Sequence, residues 1–316
     1  MVLEPDKMYR PTDVAFGGTG VVFVVEQFNH RVSKWDFTPG SFDFTLDTGW
    51  GSNGDGTTGV PGQASADDDD HFNHPTGIVH NVGNNNLFVS DTLNNRIRVL
   101  NITTGFFIDS MGTPGRGNDQ LYHPAHIAAN NPANLLVIAD SRNHRVSTYN
   151  NSTFAFIAFA DSPAGGFHTP YGTKHNGVNN EFYYYDVING KIYPYSDTDG
   201  TTVTTAAFGT PGTDPSDPSQ IFYPGGAAGT TGTVGDSYVA DARNNKIKQY
   251  TDSGGGRVFT DKITGEGTGD GQLYWPEYAI GFTNNVNYLI VCNTRNNRVE
   301  AYNRDTGAFQ VNFGSP

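Results

Sequence analysis

The chain of 316 residues is 36% hydrophobic and carries a formal net charge of -13, so it can bury a large core while repelling polyanions, and nucleic acid is excluded as an expected partner. Its 39 glycines and 13% aromatic content fit many short strands joined by turns, and no long amphipathic helix is visible. One cysteine, Cys292, rules out an intramolecular disulfide framework and reads as a small buried side chain at a strand end. The segment Met1–Lys7 lacks a basic region followed by an apolar run, and no stretch reaches the length of a membrane span, so no membrane insertion is expected.

In chain order, the first unit begins with an apolar anchor, Met8, three residues before Pro11. A strand a follows the proline, and a strand b ends in Val24-Val25-Glu26. Asn29 is read as the left-handed residue of a tight turn, and Arg31-Val32 with Trp35 opens a strand c. The same order recurs at Pro75, Pro124, Pro170, Pro224 and Pro276, at spacings of 64, 49, 46, 54 and 52 residues. Each proline again has its anchor: Phe72, Leu121, Phe167, Ile221 and Leu273. Each strand b ends in an acid or its amide: Asp91, Asp140, Asp186, Asp241 and Asn293. Five residues beyond stands a cation: Arg96, Arg145, Lys191, Lys246 and Arg298. The acid and the cation are read as structural partners, with Asn94, Asn143, Asn189, Asn244 and Asn296 between them at the place of Asn29. A second turn, as in Thr103-Thr104-Gly105 or Asp305-Thr306-Gly307, leads to a strand d. Four antiparallel strands repeated six times predict an all-β, six-bladed β-propeller occupying 1–316 as one domain, with blades at about 8–50, 72–112, 121–161, 167–209, 221–265 and 273–314. Blade packing, without an exchanged strand, is expected to close the ring. The terminal Phe313-Gly314-Ser315-Pro316 is similar to the linker Phe208-Gly209-Thr210-Pro211, which leaves self-assembly as an expectation.

The cores Phe28-Asn29-His30-Arg31-Val32 and Arg142-Asn143-His144-Arg145-Val146, with Leu93-Asn94-Asn95-Arg96-Ile97 and Arg295-Asn296-Asn297-Arg298-Val299, resemble the NHL-repeat family of propellers. The resemblance covers residues 8 to 313 and is weaker in blades 4 and 5. It implies the fold and a ligand face over the central channel. One enzyme branch, the peptidyl-hydroxyglycine lyases, carries zinc-ligating histidines directly after the strand-a proline. Here those places hold Thr12, Thr76, Ala125, Tyr171, Gly225 and Glu277, while His126 is displaced by one residue and is expected to face away. Lactonase-like propellers would need central carboxylates, of which Asp13 is the one identified. The RNA-binding branch uses basic surfaces, which 19 basic against 32 acidic residues do not provide.

The candidate site residues are those that vary around the six prolines. Just before them stand Arg10, His74, His123, Thr169, Tyr223 and Trp275, and two places after them Asp13, Gly77, His126, Gly172, Gly226 and Tyr278. Together the larger ones form a polar and aromatic cup for a small ligand, a sugar or a protein loop. His80, His126 and His175 are weak metal candidates. The run Asp67–Asp70 reads as a solvated tract, and Asn53-Gly54-Asp55-Gly56 and Gly267-Thr268-Gly269-Asp270-Gly271 as turns. Asn101, Asn150 and Asn151 match the glycosylation pattern. The expected function is a non-enzymatic binding or assembly module without a cofactor, extracellular or particle-associated, contacting protein or glycan. The competing reading is a zinc- or calcium-dependent lyase or hydrolase over the channel.

Overall fold

In the computed structural model the described residues are 6–38, 43–51, 71–160, 167–177, 179–214, 217, 219–227, 237–252, 257–282 and 287–314. They form a six-bladed β-propeller of antiparallel sheets. Blade 1 comprises strands Pro11–Gly18, Val21–Glu26, Arg31–Phe37 and Phe44–Leu46. Blade 2 comprises Ile78–Asn81, Asn86–Asp91, Arg96–Asn101 and Phe107–Met111, and blade 3 Pro124–Asn130, Leu135–Asp140, Arg145–Asn150 and Phe156–Ala160. In blade 4, Pro170–Asn176, Glu181–Asp186 and Lys191–Ser196 are followed by two isolated bridges, Ile192 to Phe208 and Tyr195 to Val203, in place of a regular fourth strand. Blade 5 has Ser237–Asp241, Lys246–Asp252 and Arg257–Ile263, and blade 6 Tyr278–Phe282, Tyr288–Asn293, Arg298–Asn303 and Phe309–Phe313. The innermost strand of blade 5, Gly226–Ala227, pairs in parallel with Tyr278–Ala279 of blade 6. Such close approach needs glycine: a Cβ on Gly225 would lie 2.0 Å from the Glu277 carbonyl oxygen, and one on Gly226 1.9 Å from the Tyr278 ring. Among the described residues the helices are three-residue 3₁₀ turns, and none is long and apolar enough to cross a membrane.

The apolar strand-b runs are buried along nearly their whole length because each is flanked by two strands and covered on both faces by neighbouring blades. Successive side chains enter different interblade layers. Val22 and Val24 pack toward blade 6, and Phe23 and Val25 toward blade 2. The core is therefore a set of six such layers, one between each pair of adjacent blades. Each fully buried Val, Leu or Phe side chain in them contributes about 1.5–3 kcal/mol.

Polar bonds repeat along with the layers. Thr92 Oγ1 donates to the Pro124 carbonyl (2.9 Å), Ser141 Oγ to that of Pro170 (2.6 Å), and Thr294 Oγ1 to that of Pro11 (2.7 Å). The backbone N–H of His123 donates to Asn95 Oδ1 (2.9 Å), that of Trp275 to Asn245 Oδ1 (2.7 Å), and that of Arg10 to Asn297 Oδ1 (2.9 Å). Blade 6 thus meets blade 1 through the bonds used inside the ring, and among the described residues no strand is exchanged between them. At the same seam Gly314, with φ of 70°, abuts Met8, as Gly112 abuts Leu121 at the junction of blades 2 and 3.

Two details of the repeat differ from the sequence expectation. The left-handed residue of each b–c turn is not the predicted asparagine but the next one: His30, Asn95, His144, Gly190, Asn245 and Asn297. In blades 1, 2, 3 and 5 the preceding asparagine stays in the 3₁₀ turn and donates to the strand-b acid, as Asn143 Nδ2 does to Asp140 Oδ2 (2.8 Å), whereas Asn296 of blade 6 donates to the Gly267 and Gln272 carbonyls. The acid–cation pairs hold for Glu26–Arg31 (3.0 Å), Asp91–Arg96 (2.9 Å) and Asp140–Arg145 (2.9 Å) but not beyond blade 3. Asp186 commits its oxygens to the N–H groups of His168, Ile188 and Asn189, and Lys191 is exposed. Asp241 pairs with Lys248 (3.5 Å) while Lys246 turns to Asp261, and Arg298 pairs with Glu300 (2.6 Å) because Asn293 carries no charge. The acid position also latches the entry to its own strand a: Asp91 accepts the N–H of Asn73, Asp140 that of Tyr122, Asp241 that of Phe222, and Asn293 that of Tyr274.

Candidate functional site

Strand a is irregular where it enters the channel. Its register slips between Pro11 and Asp13, between Pro124 and Ile127, and between Pro170 and Gly172. Such a slip interrupts the two-residue alternation, so side chains one and two places past the prolines both reach the axis. His126 accordingly does not face away, as strict alternation predicts, but packs into the channel. There its Nδ1 lies 3.1 Å from Asp13 Oδ2, and its ring stacks on Tyr278 (5.4 Å, 7°) and meets Tyr171 edge-on (5.1 Å). Both His126 and Asp13 are fully buried. Asp13 also accepts the N–H groups of Ile78 (2.8 Å) and Val14 (2.7 Å), while burial pushes its carboxyl above the ordinary range. Glycine at the same position in blade 5 leaves room for two of these rings, since a Cβ on Gly226 would lie 1.9 Å from that of Tyr278 and 3.2 Å from His126 Nδ1.

A second buried carboxylate, Glu277, stands beside this group and went unrecognised in the sequence. It pairs with Arg10 (3.1 Å) across the seam and accepts the Tyr171 hydroxyl (3.1 Å). The signal was present: among the six residues directly after the prolines, Glu277 is the one acid. Burial raises the Tyr171, Tyr223 and Tyr278 hydroxyls, the acids nearby adding to it, so all three phenols stay protonated in neutral solution. The Cys292 thiol is likewise buried and pushed up, as its reading as a packing residue requires.

The residues just before the prolines form the rim. Arg10, His74, His123, Tyr223 and Trp275 all have φ between 50° and 59°, a left-handed backbone that side chains other than glycine seldom adopt. The neighbouring blade holds Arg10, His123 and Trp275 there through the N–H bonds described above, and the His74 N–H donates to His30 Nδ1 in the same way (3.2 Å). The rim separates into two sides. On one, Arg10 lies over Phe28 (5.0 Å), and Phe28 and His30 both contact the His74 ring. On the other, Tyr171, Tyr223 and Trp275 follow one another at 6.0 and 5.4 Å.

Above this floor opens a cavity of about 600 Å³. Its walls are Gln27, Thr76, Thr92, Ser141 and Thr169, the rings of Tyr122, Tyr171 and Tyr223, and the cations or imidazoles of Arg116, Arg142, His123 and His144. Of the predicted site residues, His123, Thr169 and Tyr223 line it directly, while Asp13, His126 and Tyr278 plug the channel beneath. The 3₁₀-turn residues Thr92, Ser141 and Arg142, and the linker residue Arg116, were not anticipated.

The weak metal candidates do not converge. His80 Nδ1 contacts the Phe16 carbonyl (3.0 Å), His175 Nε2 contacts Asp197 (3.0 Å), and His126 contacts Asp13. Among the described residues no group of three His, Cys, Asp or Glu side chains is placed to hold a metal ion. In the 267–271 turn the carbonyls of Gly267, Thr268 and Gly269 accept from Asn296 and Arg298, which accords with turn chemistry. The tracts Asn53–Gly56 and Asp67–Asp70 lie outside the described residues. Of the glycosylation candidates, Asn101 and Asn150 cap surface turns by accepting backbone N–H groups. Asn151 is buried, its amide directed at Leu135 O and Asn131 Oδ1, so that acceptor is closed in the folded chain.

Comparison with known proteins agrees with the propeller fold. A family model described as NHL repeat matches residues 121–149, which span strands a to c of blade 3. No curated protein sequence matches the chain. Among solved structures, the chain is similar to one from a nidogen/laminin complex (13% identity, TM-score 0.66, covering 95% of this chain and 94% of that one). It is also similar to streptogramin B lyase (14%, 0.61, 100% and 86%) and to a structural genomics protein of unknown function from Bacteroides thetaiotaomicron VPI-5482 (13%, 0.62, 95% and 71%). At these identities the likeness concerns the fold alone, and one neighbour is a lyase while another belongs to a laminin complex. The matched repeat and the six-bladed architecture together support an NHL-repeat β-propeller.

Proposed function

We propose that the chain is a non-enzymatic binding module of an exterior or particle-associated structure, and that it takes its ligand in the cavity at the channel mouth. The observation that carries this reading is the contrast between floor and walls. Beneath the cavity Asp13 is bonded to His126, and Arg10 and Tyr171 to Glu277. The walls instead carry the part-exposed rings of Tyr122 and Tyr223 and the exposed guanidiniums of Arg116 and Arg142 around about 600 Å³, a volume within the range of small-ligand sites. The nidogen/laminin neighbour is a propeller in a protein complex, which fits such a role. Asn101 and Asn150 are the acceptors that an exterior, glycosylated form would use.

One observation favours the catalytic alternative. His126 Nε2 is buried without a hydrogen-bond partner among the described residues, while Asp13 holds the opposite nitrogen. That is the arrangement of an oriented base, although the ring is sealed from the cavity by burial. A single experiment separates the two. Wild type, Tyr223→Ala and His126→Gln are immobilised and exposed to panels of oligosaccharides and peptides, and captured compounds are recovered for mass analysis. The binding reading expects capture by wild type and His126→Gln, at least about tenfold weaker capture by Tyr223→Ala, and compounds returned intact. A chemically altered compound from wild type alone overturns it.

A further inference from the structure

Resting on the reading of the mouth as the ligand site, we infer that its ligand is a short oligosaccharide bearing a carboxylated sugar. Every ionisable cavity wall group other than tyrosine is basic or an imidazole: Arg116, Arg142, His123 and His144. No carboxylate lines the cavity among the described residues, in a chain whose formal charge is -13. Proximity to Arg142 adds to burial in lowering the His123 imidazole, so the positive charge of the wall is felt within it.

Among the described residues neither guanidinium is paired with a carboxylate. Arg31, Arg96, Arg145 and Arg298 each pair with a buried carboxylate, whereas Arg116 and Arg142 have no acceptor among the described residues. At the place of Arg142 in their own turns, Arg243 lies over Phe222 (4.6 Å) and Arg295 over Tyr274 (5.5 Å) and Trp275 (4.2 Å). In blade 3 the corresponding ring, Tyr122, is occupied by Arg116 (5.9 Å), which leaves Arg142 to the cavity. A planar guanidinium without a carboxylate partner is suited to bidentate pairing with one.

The remaining walls select a sugar among carboxylates. Tyrosine rings offer flat faces to the C–H side of a pyranose, and the hydroxyls of Thr92, Ser141 and Thr169 already donate to backbone or side-chain oxygens, so they offer lone pairs to ligand hydroxyls. The cavity exceeds what a lone carboxylate needs and accommodates a short oligosaccharide. The acidic bulk of the molecule disfavours long polyanions, which places the charge on one residue of a short chain.

The test is binding of the full chain to oligosaccharides ending in glucuronate, galacturonate, iduronate or sialic acid, each beside its methyl ester, with an acidic pentapeptide as the competing class. The expected result is that at least one carboxylated sugar binds and that its ester binds about 10–100-fold more weakly, the range for losing a charged hydrogen bond. Arg142→Gln and Arg116→Gln should each weaken the acid without weakening the ester, and affinity for the acid should fall with added salt. Equal affinity for acid and ester, preference for the peptide, or an acid affinity unchanged in the double arginine variant overturns the inference while leaving a binding mouth intact. A wild-type protein that captures nothing from these or from the broader panels overturns both.

Discussion

Single side chains decide how the rim is held. His30 and Asn95, Asn245 and Asn297 occupy the same left-handed turn position, and each accepts the N–H of the next blade's pre-proline residue. A protonated imidazole cannot accept at Nδ1. Burial lowers the His30 imidazole from its ordinary 6.5, so the folded chain binds fewer protons than the unfolded one below that pH. The stability tied to neutral His30 is therefore fully present above pH 6.5 and lost as pH falls through its lowered folded value. His30→Asn keeps an acceptor that does not titrate. It should melt close to wild type at pH 8 and lose less melting temperature between pH 8 and 5.5. Parallel pH curves for the two proteins would show that His30 is not the titrating contact. His74 is depressed in the same way, by burial first and then by His30 and Arg10, so part of the acid loss should survive the substitution.

At the level of the strand and turn, the strand-b acid works as a hub. Asp140 accepts from Tyr122, Asn143 and Arg145, and Ser147 Oγ lies 3.4 Å from it. Blade 6 does the same work with Asn293, moving the charge to Glu300, two residues past its arginine, where Ser147 stands in blade 3. Asp140→Asn should strand a buried Arg145 and cost about 3–5 kcal/mol. Adding Ser147→Glu copies blade 6 and should return part of that loss, a coupling of about 0.5–3 kcal/mol in denaturant melts of the four proteins. Strict additivity would refute the equivalence of the two hubs. This level was also where the sequence was most legible: the proline spacing, the apolar anchors and the alternation of strand c located the blades because each serves one repeated packing need. Legibility failed where one residue shifts the geometry. The bulge after Pro124 brought His126 to the axis against strict alternation, and the left-handed residue fell one place past the conspicuous asparagine. The cavity was half hidden because Thr92, Ser141 and Arg142 sit in turns whose repetition marks them as scaffold, although their side chains also form its wall.

For the whole molecule, the ring depends on a seam that copies the internal interfaces. Phe313 stacks on Phe44 (4.0 Å, 8°) and packs on Trp35 (5.2 Å), joining the last strand to blade 1. Phe313→Ala should cost about 3–5 kcal/mol, and amide exchange should accelerate first in residues 11–18 and 309–313, with blade 3 little affected. Uniform acceleration around the ring would mean that the seam is not a separate point of opening. A closed ring gives the mouth a rigid frame, and a plugged channel confines a ligand to it. The decisive measurement is hydrogen–deuterium exchange of the protein with and without the tightest compound from the binding panels. Protection confined to the cavity walls, residues 92–94, 122–123, 141–144, 169–171 and 222–223, with 12–14 and 277–279 unchanged, is the predicted result. Protection centred on 12–14, 126 and 277–279 would place the ligand in the channel and contradict a site at the mouth.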